Sequence, residues 1–171
     1  MVEKAHYIVV KKIDDIEVRD YPELILAIVE DFDDDRAFGL LYNYISGENK
    51  SRKKISMTAP VISSEKIPMT APVISQKNFM AFVMPSTYDK STIPEPKNRR
   101  VKIRIQPKKT LAIQRFSGYA TSKKTELKIK QLLSTLEKNN FKTKGEPFLM
   151  RYNSPFAPGF IRRNEVAIEI N

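Results

Sequence analysis

The chain has 171 residues, 41% of them hydrophobic, no cysteine, and a formal net charge of +10. That length suits one domain, or one domain built from two similar halves, and the lack of cysteine excludes disulfides, thiolate metal sites and a thiol nucleophile. No apolar run approaches the roughly 18–20 residues that a membrane span needs, and the opening Met1-Val2-Glu3-Lys4-Ala5-His6 has no signal-peptide core, so a soluble cytoplasmic protein without a membrane span is expected.

The charge is unevenly placed. Residues 1–48 carry 5 Lys/Arg against 12 Asp/Glu, and residues 49–171 carry 25 against 8. Such asymmetry suits either an anionic partner or a solvated lysine surface. Most lysines alternate with apolar residues rather than cluster, which argues against nucleic acid.

In chain order, Tyr7 to Ile13 is a strand, and Asp14-Asp15 is a turn. Ile16, Val18 and Asp20 then alternate with Glu17, Arg19 and Tyr21, the period of a half-buried strand with the second set outward. Leu24 to Val29 is a short apolar run fit for a more buried strand. A helix follows, capped by Asp33 or Asp34. Ala37, Leu40, Leu41, Tyr44 and Ile45 form its apolar face, Phe38 widens that face, and Gly47 ends the helix as a left-handed cap.

Next, Met57-Thr58-Ala59-Pro60-Val61-Ile62-Ser63 returns residue for residue as Met69-Thr70-Ala71-Pro72-Val73-Ile74-Ser75. A continuous strand through both copies would run roughly 70 Å, whereas a globule of this size is only about 40 Å across. The chain therefore turns between the copies, at Ser63-Ser64-Glu65-Lys66. Each Ala-Pro step limits pairing, since proline has no N–H to donate.

Phe79 to Met84 is a strand stopped by Pro85, and residues 85–98 form a long loop. Val101, Ile103 and Ile105 alternate with Lys102, Arg104 and Gln106. Pro107 breaks this strand, and Leu111 to Phe116 resumes it. A second helix covers Ser122 to Asn139, with Thr125, Ile129, Leu132, Leu133 and Leu136 as its buried stripe. Phe148 to Tyr152 and Glu165 to Ile170 close the chain; in the latter, Val166, Ile168 and Ile170 point inward, and Glu165 and Glu169 outward.

Chemistry is sparse. His6 is the only histidine, and no serine sits in a nucleophile elbow. No glycine pattern makes a phosphate loop, and zinc-type ligands are lacking. Asp31-Phe32-Asp33-Asp34-Asp35 lacks the glycine and spacing of a calcium loop and serves better as a helix cap. Met57, Met69, Met80 and Met84 crowd one region, alongside nine phenylalanines and seven tyrosines. That stock suits either a core or a hydrophobic ligand. Nothing here argues for an enzyme.

Several motifs in order carry a resemblance: Ile16-Glu17-Val18-Arg19-Asp20-Tyr21, Tyr44-Ile45-Ser46-Gly47-Glu48-Asn49, Lys54-Ile55-Ser56-Met57-Thr58-Ala59-Pro60-Val61, Phe82-Val83-Met84-Pro85, Arg115-Phe116-Ser117-Gly118, Tyr152-Asn153-Ser154-Pro155 and Arg162-Arg163-Asn164-Glu165-Val166. Together they make the chain resemble the SOUL/heme-binding protein family over nearly its whole length. The resemblance implies an α+β fold. Duplicated βαββ units would form a distorted, barrel-like antiparallel sheet with two main helices, similar to the effector-binding modules of bacterial regulators. It implies a single domain over residues 1–171, with halves of about 1–84 and 99–171.

The resemblance further implies non-enzymatic, non-covalent binding of heme or a related tetrapyrrole, absent or weakly held in the isolated protein. The residues it points to are Phe38, Leu41, Tyr42 and Ile45 on the first helix, and Phe156 and Phe160 in the C-terminal loop. Helix positions that are basic in relatives are Asp35 and Asn43 here, so Lys50, Arg52, Lys53 and Lys54 just beyond the helix are the candidates for the propionates. Asp20 stands where some members carry a candidate axial histidine. A mainly hydrophobic site without histidine ligation is therefore expected, and His6 reaches such a site only if the N-terminus folds back. Two other partners stay open: a different small-molecule effector, and a polyanion. Either copy of the doubled motif suits the family's position.

Overall fold

Asp33 and Gly47 bound the first helix as their chemistry demands. The Asp33 carboxylate accepts from the Arg36 backbone N–H at 3.0 Å, and Gly47 takes a φ of 128° that costs a residue with a Cβ. In this computed structural model residues 2–52 and 64–171 are described. In chain order the elements are β1 (Glu3–Lys4), β2 (Ile8–Ile13), β3 (Ile16–Tyr21), β4 (Leu24–Glu30), α1 (Asp34–Ser46), β5 (Asn49–Lys50), β6 (Thr70–Gln76), β7 (Phe79–Val83), β8 (Glu95–Pro96), β9 (Lys102–Gln106), β10 (Lys109–Ser117), α2 (Ser122–Lys138), β11 (Thr143–Arg151) and β12 (Arg163–Ile170), with a 3₁₀ turn at Gly159–Ile161 before β12. The protein is α+β, its long strands antiparallel, and neither set of strands closes into a barrel among the described residues.

The chain divides into two units. The first comprises Met1–Ala5, Leu24–Ala71 and Lys77–Gln106. Its centre is β4, paired antiparallel with β7 on one side and β9 on the other. Helix α1 packs on β4 and β7 through Ala37, Leu41, Tyr44 and Ile45, all buried. Burial of Leu41 and Ile45 contributes about 1.5–3 kcal/mol each. The Tyr44 hydroxyl donates to Pro94 O at 2.7 Å. Asn49, fully buried, donates through Nδ2 to Tyr44 O at 2.7 Å and Glu65 O at 2.9 Å, and its Oδ1 accepts from the Glu65 backbone N–H at 3.0 Å. Part of the polar stretch between the motif copies is thus tied to the end of the helix.

The second unit comprises His6–Glu23, Pro72–Gln76 and Pro107–Asn171. Its strand order is β2-β3-β10-β12-β11, followed by the C-terminal part of β6. Helix α2, capped by Thr121, covers one face. Leu132 and Leu136 meet Ile16, Val18, Ala112, Phe116, Leu149, Val166, Ile168 and Ile170 there, with Ile129 and Leu133 packed at the margin.

The opposite face corrects the sequence reading. Arg19, Tyr21 and Glu165 do point away from α2, as their alternation requires, but they are buried rather than solvated, at 2%, 4% and 0% exposure. A two-residue period assigns a side chain to a face; it does not say whether that face meets water.

The second copy of the doubled motif forms β6. The strand changes partner around Pro72: Thr70 and Ala71 pair with β1, and Val73 to Ser75 pair with β11. Proline thus sits where no ladder bond asks for an N–H. The first copy falls outside the described residues.

Candidate functional site

Three strand ends of the second unit converge on one depression. Ile8 pairs with Asp20, Lys109 with Tyr21 and Thr110 with Asp20. This register gathers His6, Tyr7 and Ile8 from the start of β2, Asp20, Tyr21 and Pro22 from the end of β3, and Lys108, Lys109 and Thr110 from the start of β10. The pocket they line has a volume of about 600 Å³, within the range of small-molecule sites. Ala5 N–H donates to Ala71 O at 2.8 Å, and His6 follows at the rim of this pocket, which includes no residue of α1.

The wall is aromatic, with the Tyr7 and Tyr21 rings 5.3 Å apart and tilted by 44°. Behind it lies buried charge. The Arg19 guanidinium sits 4.1 Å from the centre of the Tyr7 ring, and its Nη1 donates to the Tyr21 hydroxyl at 3.3 Å. Arg19 also grips Glu165 in a two-pronged pair, Nη1 to Oε2 at 2.9 Å and Nη2 to Oε1 at 3.0 Å. Arg163 adds Nε and Nη2 to the same Oε1 at 3.0 and 2.7 Å, and its Nη2 donates to the Tyr7 hydroxyl at 3.1 Å. Glu17 completes the set, accepting from Arg19 Nε at 2.7 Å.

Burial works against the Glu165 carboxylate, but hydrogen bonds and charge from Arg19, then Arg163, outweigh it and hold its pKa below the usual value. Burial raises the Tyr152 hydroxyl, and the charge of Glu165 adds to that. This hydroxyl is buried and has no hydrogen-bond partner among the described residues.

The rim is mostly cationic. Burial lowers the pKa of Lys109, and Lys144 lowers it further against a counteracting pull from Glu169. Asp20 is the one carboxylate lining the pocket, and it accepts from Thr110 Oγ1 at 2.6 Å. An aromatic wall under a lysine-rich rim suits a flat apolar molecule with anionic groups at its edge.

The residues singled out from sequence lie elsewhere. Leu41 and Ile45 are spent in the core of the first unit. Phe38 stacks on Tyr42 with centroids 6.1 Å apart and meets Phe82 edge-on at 5.4 Å; of this group Tyr42 is the most open, 52% exposed. Phe156 and Phe160 belong to the second unit and are 95% and 85% exposed. None of these six lines the pocket, and Lys53 and Lys54 fall outside the described residues. Sequence reasoning missed Tyr7, Tyr21 and Lys109. The available signal was Arg19 beside Tyr21 on one strand face, a costly pairing unless something buries both.

A family profile described as SOUL heme-binding protein matches residues 2–169. No curated protein matches the chain. Among solved structures, the EcmrR C-terminal domain is similar over 91% of this chain and 96% of that one, with a TM-score of 0.57 and 12% identity. A hydrolase from Listeria innocua is similar over 99% and 93%, with a TM-score of 0.54 and 12% identity. At that identity both show shared fold alone.

Proposed function

The chain belongs to the SOUL heme-binding protein family, and on that premise we propose that it is a cytoplasmic, non-enzymatic protein that binds heme or a related tetrapyrrole without covalent attachment. The observation that carries this reading is the family match over nearly the whole chain, and the pocket of the second unit supports it. The Tyr7 ring, backed by the buried Tyr21, offers the apolar face, and Lys108 and Lys109 face the propionates. The macrocycle is held by its faces and edge charges; His6 stands exposed at the mouth, and iron would supply only an optional further bond there.

Titration with hemin and with metal-free protoporphyrin IX tests this. A red-shifted Soret band saturating near one equivalent, with similar affinity for both compounds and at least a tenfold loss in Lys109→Glu, is the expected result. A spectrum identical to that in buffer refutes it. The half-buried Phe38 stacked on exposed Tyr42 favours a second reading, in which α1 carries the macrocycle. Loss of the band in Tyr42→Ala, with Lys109→Glu unaffected, would select it. A thermal shift with neutral or cationic apolar compounds but not with hemin would instead indicate a sensor of other small molecules, using Asp20.

A further inference from the structure

The loop between β11 and β12 exposes more apolar surface than folding asks of it. Phe156, Phe160 and Ile161 are 95%, 85% and 53% exposed, and Tyr119, from the neighbouring loop before α2, is 58% exposed. Single exposed apolar residues are ordinary, but a contiguous group marks an interaction surface. The two loops are contiguous: a Cβ placed on Gly159 would lie 2.7 Å from the Tyr119 ring, and Arg162 sits 4.5 Å over that ring.

The loop is braced rather than loose. Arg162 Nε donates to Ala157 O at 2.7 Å and its Nη2 donates to Pro155 O. Asn153 Oδ1 accepts from the Arg163 backbone N–H at 2.7 Å. Ala157 N–H donates to Ser154 O at 3.0 Å, and Ile161 N–H to Pro158 O at 3.2 Å. Asn164 Nδ2 donates to Gly118 O at 2.7 Å, tying the two loops together. Both phenylalanines are therefore presented on a fixed support, with little ordering left for a partner to impose.

Charge names the partner. Residues 115–126 and 151–165, on and beside the two loops, contain six Lys/Arg against Glu126 and Glu165, and Glu165 is buried and paired with Arg163. Lys123 and Lys124 stand in the first turn of α2, where the helix dipole disfavours cations. Two highly exposed phenylalanines on one loop, amid a net excess of cations, match an anionic lipid surface. The rings enter the interfacial layer and the cations meet the headgroups. No helix of the described residues is long and apolar enough to cross a membrane, so the contact is peripheral. We propose that the 152–162 loop docks the protein onto anionic membranes by inserting Phe156 and Phe160.

The chain has no tryptophan, so Phe160→Trp gives a single reporter at the tip. Its emission should shift to the blue with phosphatidylserine-containing vesicles, scarcely move with phosphatidylcholine alone, and revert as salt is raised. In vesicle co-sedimentation, Phe156→Ser with Phe160→Ser should weaken partitioning by about a hundredfold, roughly tenfold per ring, while Tyr42→Ser leaves it unchanged. Both phenylalanines are so exposed that their loss leaves the fold intact, which circular dichroism checks. Unshifted emission with anionic vesicles overturns the proposal. So does partitioning indifferent to both rings, which would be adsorption by charge alone, and so does a shift seen with hemin but not with vesicles, which would assign the loop to the macrocycle. Hemin binding by the double variant is scored separately, so failure here leaves the tetrapyrrole reading standing.

Discussion

Replacing Glu165 with glutamine isolates the energetics of the buried network. The carboxylate accepts four hydrogen bonds at 2.7–3.0 Å from two guanidinium groups and has no exposed surface. Glutamine keeps the shape but loses the charge, offers one acceptor oxygen, and turns an NH₂ toward a cation. Breaking a buried pair by removing one partner costs about 3–5 kcal/mol. Arg19 retains Glu17, one-third exposed, which places the expected loss near the lower end, about 3 kcal/mol. For a chain of this length that corresponds to a fall in Tm of about 6–12 °C.

Urea unfolding measures the loss directly. Glu169→Gln is the control, because its 3.7 Å pair with Lys144 is solvent-facing and is worth at most about 1 kcal/mol. The pH dependence supplies a second reading. The unfolded chain protonates Glu165 near 4.5, whereas the folded site holds its pKa lower. The stabilisation is therefore complete above that value and is lost as pH falls through the folded pKa. The gap between wild type and Glu165→Gln should narrow on acidification below about pH 4.5. A loss under about 1 kcal/mol at neutral pH, or a gap that widens in acid, would refute the reasoning.

Three further outcomes are expected. Asp33→Ala should cost about 1 kcal/mol in urea unfolding, since it removes the cap that accepts from Arg36 N–H. Because burial holds the Lys109 pKa below its ordinary 10.5, an anionic ligand over it draws a proton onto the amine. Porphyrin affinity should fall as pH rises through that lowered pKa, and Lys109→Arg should flatten the profile in a fluorescence-quenching titration. His6→Ala should leave the Soret maximum of bound hemin unmoved, whereas a shift would show that the histidine ligates iron.

Local signals were legible wherever the chemistry was local. The second helix was expected over Ser122 to Asn139 and runs Ser122–Lys138; Gly47 and Pro85 stop their elements as glycine and proline should. Tyr7, Asp20 and Lys109 carry no mutual signal, because the register of β2 on β3 and of β3 on β10 brings them together across about a hundred residues of sequence. Glu165 was misplaced for a related reason. A glutamate alternating with valine and isoleucine normally faces water, and only the arrival of Arg19, 146 residues away, makes its burial affordable.

That exception also constrains the strand that carries it. On β12, Val166, Ile168 and Ile170 enter the apolar cluster under α2, while Glu165 enters the guanidinium groups on the other side. A one-residue slip of β12 would carry Glu165, and Arg163 with it, into the leucine cluster and set Val166 against Arg19, which would keep only Glu17. A strand with one solvated face loses only apolar burial in such a slip; here the slip also strands buried charge, at several kcal/mol per ion. The network holds β12 in register from the face that the hydrophobic pattern leaves unspecified. It therefore keeps Tyr7 and Tyr21, both bonded to those same arginines, in place as the wall of the pocket.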